Sequence, residues 1–131
     1  MANSLYASGR ESFSTGEIDY STDTIKLALM ADTYTPNLSE DEFWSDISSN
    51  VVGTPQTLSG KTSTNGVTGC LDVMFTGIEA ENNVDYIVVY KDTGTPSSST
   101  LIALYDTAPG LPFTPSGANI VIAINSEIEA L

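Results

Sequence analysis

Chemistry in this chain would have to be built from carboxylates, hydroxyls and amides, because it has 17 Asp and Glu, 4 Lys and Arg, a single cysteine and no histidine. The missing imidazole removes the commonest general base and zinc ligand. Serines abound, yet no lysine stands in a Ser-x-x-Lys spacing to activate one, so serine hydrolysis has no machinery. Two acids about 5 to 10 Å apart in a cleft would serve glycoside hydrolysis, but an acid-rich chain brings pairs that close together by chance. Asp92-Thr93-Gly94 and Asp106-Thr107 end adjacent predicted strands, where their oxygens could gather Ca²⁺. An Asp in such a place more often accepts a backbone hydrogen bond in a turn, and the turn is the reading adopted. Gly60-Lys61-Thr62 imitates the end of a phosphate-binding loop, but Pro55 occupies the position of its first glycine. Cys70 opens an apolar run and reads as a buried thiol. No catalytic residue, cofactor or metal is expected.

The formal charge is −13. Such a surface repels nucleic acid and anionic membranes, so neither is an expected partner. No apolar run approaches the roughly 20 residues of a membrane span, and the first twelve residues are too polar for an export signal. A soluble protein made without an export peptide is the expectation, which leaves the acceptor spelling Asn37-Leu38-Ser39 as chance.

The elements that would position any site centre on 85–124, which holds three alternating apolar runs between loops rich in Gly, Pro, Ser and Thr. Tyr86, Val88 and Tyr90 oppose Ile87 and Val89. Leu101, Ala103 and Tyr105 oppose Ile102 and Leu104. Ile120, Ile122 and Ile124 oppose Val121 and Ala123. Period two with β-branched and aromatic residues predicts strands, and apolar residues on both faces predict central strands of a sheet covered on both sides, or strands whose second face meets another subunit. Ile25, Leu27 and Leu29 predict a further strand that could be half exposed. Ser39 and Glu42 spell a capping box, predicting a short helix from Ser39 to Ile47. Short strands are predicted over Val51-Val52, Gln56 to Leu58, Lys61 to Thr64, Val67-Thr68 and Leu71 to Phe75. Asn65-Gly66 supplies a hairpin turn, and Leu71, Val73 and Phe75 form an inward face.

Residues 1–22 are poor in aliphatics, with Tyr6, Phe13, Ile18 and Tyr20 irregularly spaced. They predict either a disordered terminus or an extended arm with aromatic anchors, docking elsewhere or folding back onto the chain's own domain. The whole is expected to be all-β, a single β-sandwich or jelly-roll-like domain (23–131) with one short helix and an extended N-terminal arm (1–22).

Several pieces, in order along nearly the whole chain, carry a resemblance. They are Tyr6 with Gly9, Arg10, Glu11 and Phe13; Asp23-Thr24-Ile25-Lys26; Tyr34-Thr35-Pro36-Asn37-Leu38; Leu58-Ser59-Gly60-Lys61-Thr62; Tyr90-Lys91-Asp92-Thr93-Gly94; and Gly110-Leu111-Pro112 through Thr114-Pro115 to Gly117. Together the set resembles a family of small virion structural proteins of tailed bacteriophages. The end departs from that pattern: Ile124-Asn125-Ser126-Glu127-Ile128-Glu129 stands where similar chains carry a Trp and a Gly-containing turn. The resemblance implies a virion location and the role of a capsid decoration (cement) protein. Such a protein binds the outer face of the major capsid protein shell as a homo-oligomer, most simply a trimer at three-fold positions. A tail or head-tail connector component, or a carbohydrate-binding fibre module, are its alternatives, and an enzyme comes last. Within this reading Tyr6, Arg10 and Phe13 of the arm form the interface, Arg10 meeting a carboxylate across the contact.

Overall fold

A computed structural model of the chain describes residues 4–64, 67–76, 83–106, 117 and 119–122. The strands β1 (Ser4–Leu5), β2 (Ile25–Ala31), β3 (Val51–Thr57), β4 (Thr62–Thr64), β5 (Val67–Gly69), β6 (Val73–Phe75), β7 (Val84–Lys91), β8 (Leu101–Tyr105) and β9 (Ile120–Ile122) dominate the structure. Helices α1 (Ala7–Thr15) and α2 (Trp44–Ile47) are both short. A five-stranded sheet in the order β1-β8-β7-β2-β3 forms the body, with two-stranded ribbons β4-β5 and β6-β9. All its pairings are antiparallel. The domain is therefore small and all-β, as the period-two runs predict.

Of the three central strands, β2 and β7 lie where alternation puts them. β2 sits between β7 and β3 with both faces covered, so it is almost wholly buried and not half exposed. Ile25, Leu27, Leu29 and Ala31 point to one layer with Ile87 and Val89, and there they meet Val73, Phe75 and Ile122 of the β6-β9 ribbon. Ala28 and Met30 point the other way with Val88 and Tyr90, against Tyr6, Tyr34, Trp44 and Ile47. The sheet thus has an aliphatic side and an aromatic side.

Strict alternation fails in β8. Val89 pairs with Ala103 but Tyr90 pairs with Leu101, which leaves Ile102 as an extra residue. This bulge puts Ile102 and Ala103 together on the aliphatic side and Leu101 with Leu104 on the aromatic side. A second irregularity joins two predicted short strands into the single edge strand β3. Leu29 pairs with Val52 and Leu27 with Gln56, so the chain between them loops out around Gly53, at φ 71°, and Pro55.

Two further expectations are corrected. The helix begins at Trp44 rather than Ser39, because Asn37 Oδ1 takes the Ser39 and Glu40 N–H groups into a turn. Phe43 is then extended and bridged to Thr100, while the Asp46 carboxylate accepts from the Glu42 and Phe43 N–H groups and fixes the helix start. Leu71 is 62% exposed, outside the inward face that Val73 and Phe75 do form. Its N–H bonds to Ser59 and its side chain lies over Gly60, so the strand begins only after it. The Asn65-Gly66 turn, residues 123–131 and most of the Gly110 to Gly117 motif lie outside the described residues; Thr64 pairs with Val67 across that turn.

Candidate interaction surface

The predicted extended arm is, over residues 4–22, strand, helix and turn. Alternation in β1 sends Leu5 to the aliphatic side and Tyr6 to the aromatic side. The Tyr6 N–H donates to the Ile102 carbonyl at 2.9 Å, and the next N–H, of Ala7, donates to Leu38 at 2.8 Å. α1 then lies against the β8 bulge. An added Cβ on Gly9 would stand 2.5 Å from the Ile102 oxygen and 2.7 Å from its Cα, so only glycine allows this approach. The inner face of α1 is Gly9, Ser12 and Phe13, at the i, i+3, i+4 spacing. Gly16, left-handed at φ 79°, ends the helix.

Of the three arm residues, Tyr6 is fully buried in its own domain, Phe13 is half-buried against the aliphatic core and Arg10 is exposed. The Tyr6 hydroxyl lies 2.7 Å from the Tyr34 hydroxyl, which donates to Asp41 Oδ2 at 2.7 Å. The same Oδ2 accepts from the Asn37 N–H, so one carboxylate gathers the 34–41 turn and, through Tyr34, the N-terminal segment. Burial raises both phenols well above the ordinary tyrosine value, and the Asp41 charge adds to it. Around them Tyr34 meets Tyr86 edge-on at 5.7 Å and Trp44 stacks on Tyr90 at 4.5 Å.

The lysines all bind their own chain. Lys91 Nζ donates to the Glu17 carbonyl at 2.7 Å and pairs with Asp23 at 3.3 Å. Lys61 donates to the Asp23 carbonyl, which gives the imitation phosphate loop a purely structural duty. Lys26 pairs with Asp92 at 3.3 Å. Lys91 thus holds the 17–24 connector to the sheet, Lys61 holds it to the lead-in of β4, and Lys26 ties β2 to the turn after β7.

Asp92 and Asp106 do not meet. β7 and β8 are antiparallel, so Asp92 lies beside the start of β8 and Asp106 just past its end. Asp106 is level with Tyr86, six residues from Asp92 along the strand direction, a separation of about 20 Å at the usual strand rise. Asp92 instead organises a turn: its Oδ1 accepts from the Gly94 N–H at 3.0 Å and from the buried Ser99 hydroxyl. The Gly94 N–H holds this carboxyl below the usual range against a smaller opposing effect of burial, and Lys26 helps. Among the described residues no Asp, Glu or Cys cluster could hold a metal ion.

No protein-family model matches the chain, and a search of curated proteins found no match.

Two hollows remain. One, of about 180 Å³, is lined mainly by polar residues, among them Glu11, Glu17 and Glu42 with Ser8 and Ser12. It is below the roughly 300 Å³ at which small-molecule sites begin. The other is an open groove beside Phe13, Ile18 and Tyr20. Cys70 is half-buried, and burial raises its thiol pKa against a hydrogen bond from Tyr20, so its thiolate is disfavoured. Outside the core, Leu71, Met74 and Val121 are exposed at 62%, 52% and 54%. The sequence places Leu71 inward, and it predicts cover on both faces of the run that holds Val121; β9 instead lies in a two-stranded ribbon with Val121 outward, and the signal for Met74 is that 71–75 has apolar residues at both parities. Among the described residues no helix is long and apolar enough to cross a membrane.

Proposed function

We propose that the chain is a structural protein of a tailed-phage particle, a decoration protein that binds the outer face of the major capsid shell and stabilises it. It acts without catalysis or cofactor, in copies that occupy three-fold positions. The observation that carries this reading is the layout of charge. Lys26, Lys61 and Lys91 are all directed at the domain's own carboxylates and carbonyls, so a chain of net charge −13 offers no lysine-rich face to a phosphate backbone. Packaged DNA is repelled by such a body, and an outward position in solvent suits it. The ordered motif pieces of the phage resemblance supply the particle.

Gradient-purified particles, quantified by mass spectrometry against the major capsid protein, test the proposal. Hundreds of copies per particle, released together with a loss of heat resistance of the shell, are expected. A dozen copies or fewer would give the chain to the connector or a fibre, and absence from particles would overturn the reading.

A further inference from the structure

We infer that the outer face of the β6-β9 ribbon is a docking surface for a protein that presents an apolar patch bordered by Lys or Arg. An antiparallel ribbon with one face on a core ordinarily shows polar side chains on the other. Here Val73, Phe75 and Ile122 point into the aliphatic core, and the opposite face carries Met74 and Val121. These two are register partners, directly across from one another, so their side chains form one continuous strip. Leu71, on the lead-in to β6, adds a third exposed apolar group. Methionine adapts its shape to whatever covers it, which suits a contact surface.

The choice of partner follows from charge and area. Neither 67–76 nor 117–122 contains a lysine or arginine, while Asp72 is exposed beside Leu71. The cations of the contact must therefore come from the other side. A second copy is a poor occupant: it would bring together two chains of charge −13 each. Three half-exposed side chains also offer on the order of 300 Å², against about 800 Å² per partner in a stable pairwise complex. A basic, apolar surface that holds many copies at once, each through a small contact, answers both difficulties. That this surface belongs to a shell protein rests on the function proposed above; the chemistry of the contact does not.

The test uses the full chain and two immobilised amphipathic model helices, one of Leu and Lys and one of Leu and Glu. Wild type is expected to bind the Leu/Lys helix at least tenfold more tightly than the Leu/Glu one. The double variant Met74→Glu, Val121→Glu is expected to lose at least tenfold. Because it adds negative charge, any non-specific attraction to lysine would rise, so a loss reports the apolar contact alone. The milder Met74→Gln, expected to lose about threefold, covers the case in which the double variant does not fold. No preference between the helices, or unchanged binding by the folded variants, overturns the docking face. Purified particles then separate the two proposals. Wild type absent from particles, with the helix result intact, overturns the decoration role and leaves the face standing. Wild type present, with the variants at equal occupancy, overturns the face as the shell contact and leaves the role standing.

Discussion

The two sides of the central sheet are closed by different physics. On the aliphatic side, Leu27, Leu29, Ile87 and Val89 meet Val73, Phe75 and Ile122, with closure by shape and area. On the aromatic side, Tyr6, Tyr34, Trp44, Tyr86 and Tyr90 are ordered by ring geometry and by the hydroxyl chain that ends on Asp41. Hydrophobic contact has no direction, so it tolerates exchange of one aliphatic for another. Hydrogen-bonded tyrosines do not, and they respond to pH. The N-terminal segment takes part in both closures, with Leu5, Phe13, Ile18 and Tyr20 on the aliphatic side and Tyr6 on the aromatic one, so Tyr6 is its directional contact.

Substitutions can break this contrast, the largest on the aliphatic side. Phe75→Ala, at a fully buried site, is expected to cost about 3–5 kcal/mol, measured by urea denaturation. Gly9→Ala forces α1 off the Ile102 backbone and is expected to cost about 1–3 kcal/mol. If proteolysis of the variant begins in residues 4–15 while the remainder resists, the segment docks as a separate unit; uniform cleavage would show that it does not.

Alkaline pH sharpens the comparison further. Burial, then the Asp92 charge, pushes Tyr90 from 10.0 up to about 12. A folded value above the unfolded one means that the unfolded chain loses its proton first. The Tyr90 contribution is intact below pH 10 and is lost as pH rises to about 12; Tyr6 and Tyr34 act in the same sense at higher pH. Urea midpoints should fall across this window, and Tyr90→Phe should flatten the fall. An equal slope in the variant would remove tyrosine ionisation as the cause.

Smaller effects follow. Tyr6→Phe removes one hydroxyl from the buried chain and leaves Tyr34 bonded to Asp41, with an expected cost of about 1 kcal/mol. Asp92→Asn loses an ion pair that is still partly exposed, its side chains 29% and 24% accessible, and a cost of about 1 kcal/mol or less is expected. A larger loss by calorimetry would make the Asp92 turn, rather than the ion pair, the important part.

What could be read before folding follows the same division. β2, β7 and β8 are legible because each is a run of mostly apolar residues, and burial on both faces leaves only Lys26, Asp85 and Lys91, near strand ends, to blur it. The bulge at Ile102 is not legible, since an extra residue within an all-apolar run changes no residue type. α1 escapes for another reason: Gly9 and Ser12 on its inner face are poor helix formers and weakly apolar, and only the terminal Gly16 hints at a helix end. The Tyr6-Tyr34-Asp41 chain joins residues far apart in sequence, with no spacing that local rules detect. Ser39 misled because Asn37, two residues earlier, competes for the same N–H groups.

The margins of the five-stranded sheet bear on life at high density. β1 offers two residues before the chain turns into α1. β3 interrupts its free margin with the Gly53 kink and with Pro55, which has no N–H to donate. Among the described residues neither margin presents a straight row of backbone groups that a neighbour could extend, and such rows are how sheets grow into fibres. Copies crowded on a common support can therefore stand side by side without zipping together. That colloidal restraint is written in backbone shape, so it persists at salt concentrations that would screen the chain's charge.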